Sequence, residues 1–406
     1  MGAGVLLFAG IIYAWSLLNE PFRNVLDKGQ LGFNYTLTIC FFCLGGVCSG
    51  FISKKTTPLL RLLISAALLF AGFFIASRLV GVENLNPLWL YLSYGVLCGT
   101  GIGFAYNTVI SMTNAWFPDK MGLSSGVLLA GFGLSLMTVG YVYQMLGRND
   151  EIGWSAAYLI IAISLGAILL LAAFFVKPPP QGTEFPAAGK GKKPQEQGEA
   201  KDYTTLEMVK RFSFAKLFII MVVLSATGVA VSGFASDILR DLSGLDFGAG
   251  ELSGDAARFN NFIPFAVGLF GVFNGLGRIT VGWLYDNLGT RKTQYAVSIT
   301  AVIAPLTLVF AIIASSVVLG IAGLCLGGFA FGLAPTTGSV FAAKFYGARN
   351  FPLNFSVINL VLIPAAFAPA LAGMLRESTN DFLTVFIIIT AISAVGAVIN
   401  LTMKKA

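Results

Sequence analysis

The stretch LIIAISLGAILLLAAFFV, residues 159–176, runs for eighteen residues without a charge. As a helix rising 1.5 Å per residue it would be about 27 Å long, close to the ~30 Å hydrocarbon core of a bilayer. Lipid offers the backbone no hydrogen-bond partner, so only helices and closed barrels cross it. A barrel strand would alternate apolar and polar residues, and this run does not. It is read as a transmembrane helix.

Working outward, comparable apolar runs lie at about 2–19, 33–53, 58–80, 88–114, 122–146, 153–176, 214–240, 261–285, 293–315, 317–343, 350–374 and 381–403. The composition agrees: 56% of the 406 residues are hydrophobic and 11% charged, against roughly a quarter charged in a soluble chain. The fold class is therefore an all-α membrane protein with twelve transmembrane helices. Between the sixth and seventh runs, residues 177–211 are rich in Pro, Gly, Lys and Glu. Such a segment cannot bury a core, so it reads as a flexible cytoplasmic tether with an amphipathic surface stretch near 203–212. It divides the chain into a six-helix half at 1–176 and a second at 212–406. The first run begins almost at Met1 without a basic leader or an A-x-A site, so no cleaved signal peptide is expected.

The sequence contains no histidine. This removes zinc-protease motifs, Ser-His-Asp triads, haem ligation by histidine and histidine proton relays. All five cysteines fall inside apolar runs, and Cys40-x-x-Cys43 is read as two small hydrophobes rather than a redox or metal pair. No cofactor and no metal is expected, and neither is an enzyme, because the helices hold no nucleophile, acid pair or metal cluster. A solute-sensing receptor would add a signalling domain, and none is read here.

The net charge of +7 is not spread evenly. Sorted by the loop each would occupy, eighteen Lys and Arg residues fall on one side of the membrane, Lys54, Lys55, Arg61 and Lys120 among them, and seven on the other. The positive-inside rule then places both termini and the 177–211 loop in the cytoplasm. The basic excess is thus a topology signal and not a nucleic-acid footprint.

One cation, Arg278, belongs to neither set and sits inside the eighth run. Placing it there costs at least about 2.5–3.5 kcal/mol on insertion scales. An anion would compensate, and a guanidinium matches the two oxygens of a carboxylate. Snorkelling toward the nearer membrane surface is the competing explanation. Asn274 lies one helical turn earlier on the same face, where it can bond a carboxylate or orient the guanidinium. Tyr13 and Trp15 in the first helix, Tyr106 and Asn107 in the fourth and Asn359 in the eleventh are further candidate cavity contacts. Asn107, Ser111 and Asn114 form one stripe expected to face inward. Pro335 and Pro364 are expected to kink helices 10 and 11.

The two halves resemble each other. LCGTGIGFAYNTVISMTNAWFPDKMGL (97–123) and LCLGGFAFGLAPTTGSVFAAKFYGARNF (324–351) each carry a helix into a loop, with Phe117 and Phe345 in register. Two six-helix repeats joined by a cytoplasmic loop resemble the major facilitator superfamily. Gly282-Trp-Leu-Tyr-Asp286-Asn-Leu-Gly289-Thr-Arg291-Lys292 is similar to that superfamily's gating signature G-x-x-x-D-[RK]-x-G-[RK]-[RK], with Asn287 in place of a base. In this motif Asp286 can accept from a neighbouring helix end, while Arg291 and Lys292 hold the surface. The equivalent first-half loop, Gly50 to Lys55, has no acid, so its latch is expected to be weak.

More narrowly, Ile12-Tyr13-Ala14-Trp15-Ser16, Gly101 to Asn107, Trp116 to Leu123 and Asn274-Gly-Leu-Gly-Arg278 resemble the oxalate–formate antiporter and monocarboxylate transporter branch. The resemblance implies a secondary active transporter of a small organic anion working by alternating access. Some monocarboxylate carriers resembling this segment have Asp where Asn274 stands, which weakens proton symport here. The branch's dicarboxylate exchanger pairs its arginine with a lysine in helix 11, whereas no lysine occurs here between Lys344 and Lys404. One fixed cation balances a monoanion, so a lactate-, formate- or pyruvate-like monocarboxylate is expected, with a proton or a counter-anion as the coupled species. An oxalate-type dicarboxylate exchanger or an exporter of another organic compound is the alternative. The expected setting is a monomer in the lipid bilayer of the cell membrane, with no nucleic-acid partner.

Overall fold

A computed structural model describes residues 1–180, 183, 202–245, 254–379 and 381–402. Among them, twelve helices are long and apolar enough to cross a membrane: Gly2–Phe22, Gly29–Ile52, Pro58–Leu79, Pro87–Ala115, Met121–Arg148, Gly153–Phe175, Phe212–Ser243, Gly254–Asn287, Gly289–Ile313, Val317–Lys344, Phe351–Thr379 and Phe382–Leu401. We number them spans 1 to 12. The membrane face from which residues 177–211 leave span 6 and enter span 7 is called the linker face.

Local sequence sets the ends of these helices. Asp27 and Gln30 form a reciprocal capping box at the start of span 2. Thr57 caps span 3, with Pro58 supplying a first-turn residue that needs no N–H donor. Asp381 accepts from Leu383 and Thr384 at the start of span 12. Outward faces carry bare apolar side chains, such as Phe174 and Phe175 on span 6, Ile299 on span 9 and Val395 and Val398 on span 12. Water would not tolerate that belt, whereas lipid does.

The sequence repeat is also a packing repeat. Span 2 packs on span 4 and span 3 on span 6; six spans later, span 8 packs on span 10 and span 9 on span 12. The first six spans meet the last six along two seams, span 5 against span 8 and span 2 against span 11. Gly122 and Gly282 face each other so closely that a Cβ on either would strike the other's backbone carbonyl. Between described residues, the hydrogen bonds that join the halves lie from mid-membrane to the linker face: Cys43 to Asn359, Arg278 to Leu129, Ser356 to Gly46, Asn107 to Pro352 and Ser356, Asn114 and Ser125 to Ser339, Asp286 to Gly122 and Leu123, and Lys54 to Asn350.

Span 11 is broken rather than merely bent, into Phe351–Asn359, Leu362–Ala365 and Ala368–Thr379. Pro364 has no N–H for the Leu360 carbonyl, which accepts from Ile363 instead. The Asn359 carbonyl, left without that partner, accepts from Cys43 Sγ on span 2. Pro335, by contrast, lies within a continuous span 10.

Residues 181–182 and 184–201 of the expected tether lie outside the described residues. Its end is docked, not a free surface stretch. The Tyr203 backbone is held by the loop after span 10 and the start of span 11, its N–H donating to Tyr346 O at 2.9 Å and its carbonyl accepting from the Asn350 and Asn354 side chains. The short helix Thr205–Val209 follows, with Met208 fully buried.

Candidate functional site

Span 8 carries Arg278 into the middle of the protein, 1% exposed, with Asn274 one turn earlier at 5%. Asn274 Oδ1 accepts from the Nε of Arg278 at 2.8 Å, and the carbonyl of Leu129 on span 5 accepts from Nη1 at 2.5 Å. Nη2 makes no hydrogen bond among the described residues. The ring of Tyr13 faces the guanidinium, 5.9 Å from Cζ to centroid. None of the ion pairs between described residues involves Arg278. A buried cation therefore stands without a counter-charge, a costly state that an anion would relieve.

Arg278 lines a narrow cleft of about 320 Å³, counting its open mouth, between the two halves. Tyr13, Phe42, Tyr106 and Phe132 come from the first half, and Met221, Ser225, Pro335, Asn359, Val361 and Leu362 from the second. The aromatic wall is interlocked: Tyr106 meets Phe132 edge-on at 4.9 Å and Phe42 at 5.1 Å. A smaller recess beside it, of about 190 Å³, adds Cys43, Gly46, Asn107 and Ser356, with Phe42, Tyr106 and Asn359 shared by both. The cleft lining contains one cation and no carboxylate.

The site residues read from the sequence separate into groups. Arg278, Tyr13, Tyr106 and Asn359 meet at the cleft. Asn274 does not line it and reaches it only through the guanidinium. Asn107 lines the side recess, where its amide donates to Pro352 O at 2.7 Å and Ser356 Oγ at 2.5 Å. Trp15 lies apart from the cleft. Its indole N–H donates to Leu31 O within the first half at 3.0 Å, its ring packs on Tyr94, and it does not line the cleft. A partner from its own half satisfies the one polar atom that could have faced a substrate.

Sequence reasoning missed Phe42, Phe132, Met221, Ser225, Val361 and Leu362, which look like ordinary membrane-helix residues and carry no local signal. It also counted Arg61 with the cations at the membrane surface. That guanidinium is 1% exposed, and its Nε and Nη1 have no partner among the described residues.

The motif after span 8 has a definite geometry. Span 5 begins with no side-chain cap of its own. Asp286 supplies one from the other half, accepting from Gly122 N at 3.2 Å and Leu123 N at 2.7 Å. A carboxylate at a helix N-terminus satisfies orphan N–H groups and meets the positive end of the dipole. Lys344 of span 10 lies 3.3 Å from the same carboxylate. Gly282 permits the close approach, and Gly289 takes φ +77, a conformation open mainly to glycine. Arg291 and Lys292 are exposed at the linker face. The first-half loop, which lacks an acid, makes a contact of another kind: Lys54 Nζ donates to Asn350 Oδ1 at 2.5 Å.

Comparison with known proteins decides the family. Residues 1–362 match the family described as the Major Facilitator Superfamily. The chain belongs to that superfamily. It is 26% identical over 351 residues to the oxalate:formate antiporter of Oxalobacter formigenes, covering 85% of this chain and 77% of that one. It is 22% identical over 383 residues to monocarboxylate transporter 12 of Rattus norvegicus, covering 89% and 75%. In fold it is similar to the E. coli fucose:proton symporter (TM-score 0.65, 15% identity, 99% and 98% covered). The proton:xylose symporter XylE gives a TM-score of 0.69 at 14% identity, with 98% and 93% covered. The chain is thus a multi-pass protein of the cell membrane, with the family and fold of transporters, which are not enzymes.

Proposed function

We propose that this superfamily member is a secondary active transporter of a small monocarboxylate, of the lactate, formate or pyruvate kind, working by alternating access. The observation that carries this reading is Arg278, a buried guanidinium facing a cleft that holds no carboxylate to neutralise it. Because Nε is committed to Asn274, an incoming carboxylate is gripped at the Nη1 and Nη2 end. The aromatic and aliphatic lining suits a short apolar tail, and Ser225 and Asn359 offer polar contacts to a hydroxyl or keto group. One cation balances one negative charge, so a dianion would bring an uncompensated charge into the cleft. Similarity to an oxalate:formate antiporter and to a monocarboxylate transporter supports the substrate class.

The linker face is taken as cytoplasmic, on the distribution of basic residues, and the hydrogen bonds that join the halves close that side. In transport the anion enters from the opposite face, binds Arg278, and leaves once the halves rock apart at the linker face. The absence of a carboxylate from the cleft lining favours anion exchange over proton symport. Asn274, which cannot carry a proton, points the same way.

The test is counterflow of labelled lactate into proteoliposomes preloaded with unlabelled lactate. Arg278→Gln should lower uptake at least about a hundredfold, on the scale of 3–5 kcal/mol for losing one partner of a buried charge pair. Arg278→Lys should retain a small fraction, since lysine keeps the charge and loses the fork. Ordinary kinetics in Arg278→Gln would end the assignment, and oxalate outcompeting lactate would end the monoanion reading.

A further inference from the structure

Arg278 belongs to the second half, but its guanidinium is held from the first. Three positions along span 5 face Arg278, Gly126 at its backbone and Leu129 and Gly133 at its guanidinium, spaced as successive turns of one helix face. A Cβ on Gly126 would come within 2.5 Å of the Arg278 carbonyl. The Leu129 carbonyl accepts from Nη1. A Cβ on Gly133 would lie 3.1 Å from Cζ, 3.3 Å from Nη1 and 3.2 Å from Asn274 Oδ1. Span 5 therefore meets both the guanidinium and the amide that orients it, and Gly133 leaves just the room they occupy.

From this geometry, and resting on the reading of Arg278 as the anion receptor, we propose that Gly133 and the Leu129 carbonyl form a seat that positions Arg278, so that the anion site is complete only while spans 5 and 8 are packed together. Nη1 carries two N–H groups and Leu129 takes one, leaving one on Nη1 and two on Nη2 for the anion. The seat thus fixes the guanidinium without consuming its binding edge. Fixing a receptor group before the ligand arrives raises affinity, because less ordering remains to be done on binding. A seat supplied by the opposite half also links affinity to conformation. When spans 5 and 8 part from the Gly122–Gly282 end, Leu129 withdraws, Arg278 gains freedom, and the anion is held less well on the side where it is to be released.

Gly133 is a positioning residue in this scheme, and its test separates affinity from turnover. Gly133→Ala should raise the lactate KM in counterflow about tenfold, while the maximal rate changes less than about twofold. Gly275→Ala is the control on the same seam, because its Cβ would make only ordinary contact, 3.5 Å from Leu134 Cδ2. It should leave both constants unchanged. Equal KM shifts in the two variants, or a Gly133→Ala defect confined to the maximal rate, would overturn the seat. Arg278→Gln measured alongside keeps the two readings apart. Uptake unaffected in Arg278→Gln defeats the anion site itself; uptake lost there, with Gly133→Ala matching Gly275→Ala, defeats only the seat.

Should Gly133→Ala fail to fold, a cross-link across the seam gives the answer. Leu134→Cys with Gly275→Cys, introduced after the native cysteines are replaced and then oxidised, holds spans 5 and 8 together. Transport should stop, and equilibrium binding of labelled lactate should persist within about twofold of the reduced protein. Binding lost on oxidation and restored by reduction would overturn the proposal.

Discussion

The loop after span 2 and the loop after span 8 occupy equivalent places in the repeat, and they close the linker face by opposite chemistry. After span 8 an acid, Asp286, reaches two backbone N–H groups at the start of span 5. After span 2 a base, Lys54, reaches the neutral amide oxygen of Asn350. Each contact joins one half to the other. The difference lies in what would be left behind if the contact broke. Asp286 has a side chain 8% exposed and caps a helix with no cap of its own, so its loss strands both a carboxylate and two N–H groups. Asn350 keeps a second bond to the Tyr203 carbonyl, and the lysine ammonium is readily hydrated. Symmetry in sequence position thus permits a strong latch at one site and a weaker one at the other.

The largest effect among the latch substitutions should come from Asp286→Ala. Two charge-assisted bonds and a favourable dipole contact together are worth about 2–3 kcal/mol, which converts to roughly 30- to 150-fold in the balance between closed and open linker faces. The measurement is the labelling rate of a cysteine introduced at Ser339, which lies in the seam and bonds Ser125. Labelling from the linker face should accelerate by about that factor over the single Ser339→Cys parent. An unchanged rate would show that the two loops are equal after all and that the helix cap carries no conformational weight.

This contrast also shows what the sequence made legible. Long uncharged runs announce spans because lipid allows few alternatives, and the twelve runs emerge as twelve helices, with span 8 starting seven residues earlier than expected. Arg278 was legible for the same reason: a cation inside an apolar run is costly wherever it packs. Lys54 was harder to read, because its partner Asn350 lies nearly three hundred residues away and is uncharged. Arg61 misled for a related reason. It stands in the first turn of span 3, a position that usually reaches water, and only the packing of neighbouring helices buries it. Phe42, Phe132 and Ser225 were unreadable because a cleft wall and a helix contact use the same residues. What decides between them is which helices come together in three dimensions.

Lys54→Gln sharpens the comparison from its weaker side. A charged donor to a neutral acceptor, partly open to water, should contribute about 1 kcal/mol, or a factor of about five in the same labelling rate. The smallest change should follow Lys344→Gln. Lys344 lies 3.3 Å from Asp286, but its side chain is 38% exposed, so water and salt screen the pair. The acid also keeps both backbone donors when the lysine is gone. The shift should stay within about twofold and vanish at high salt, whereas the effect of Asp286→Ala, which rests on short bonds to a helix end, should survive it. If Lys344→Gln instead matched Asp286→Ala, the ion pair rather than the helix cap would be the latch. Both loops would then close the linker face through a lysine, and the contrast between them would collapse.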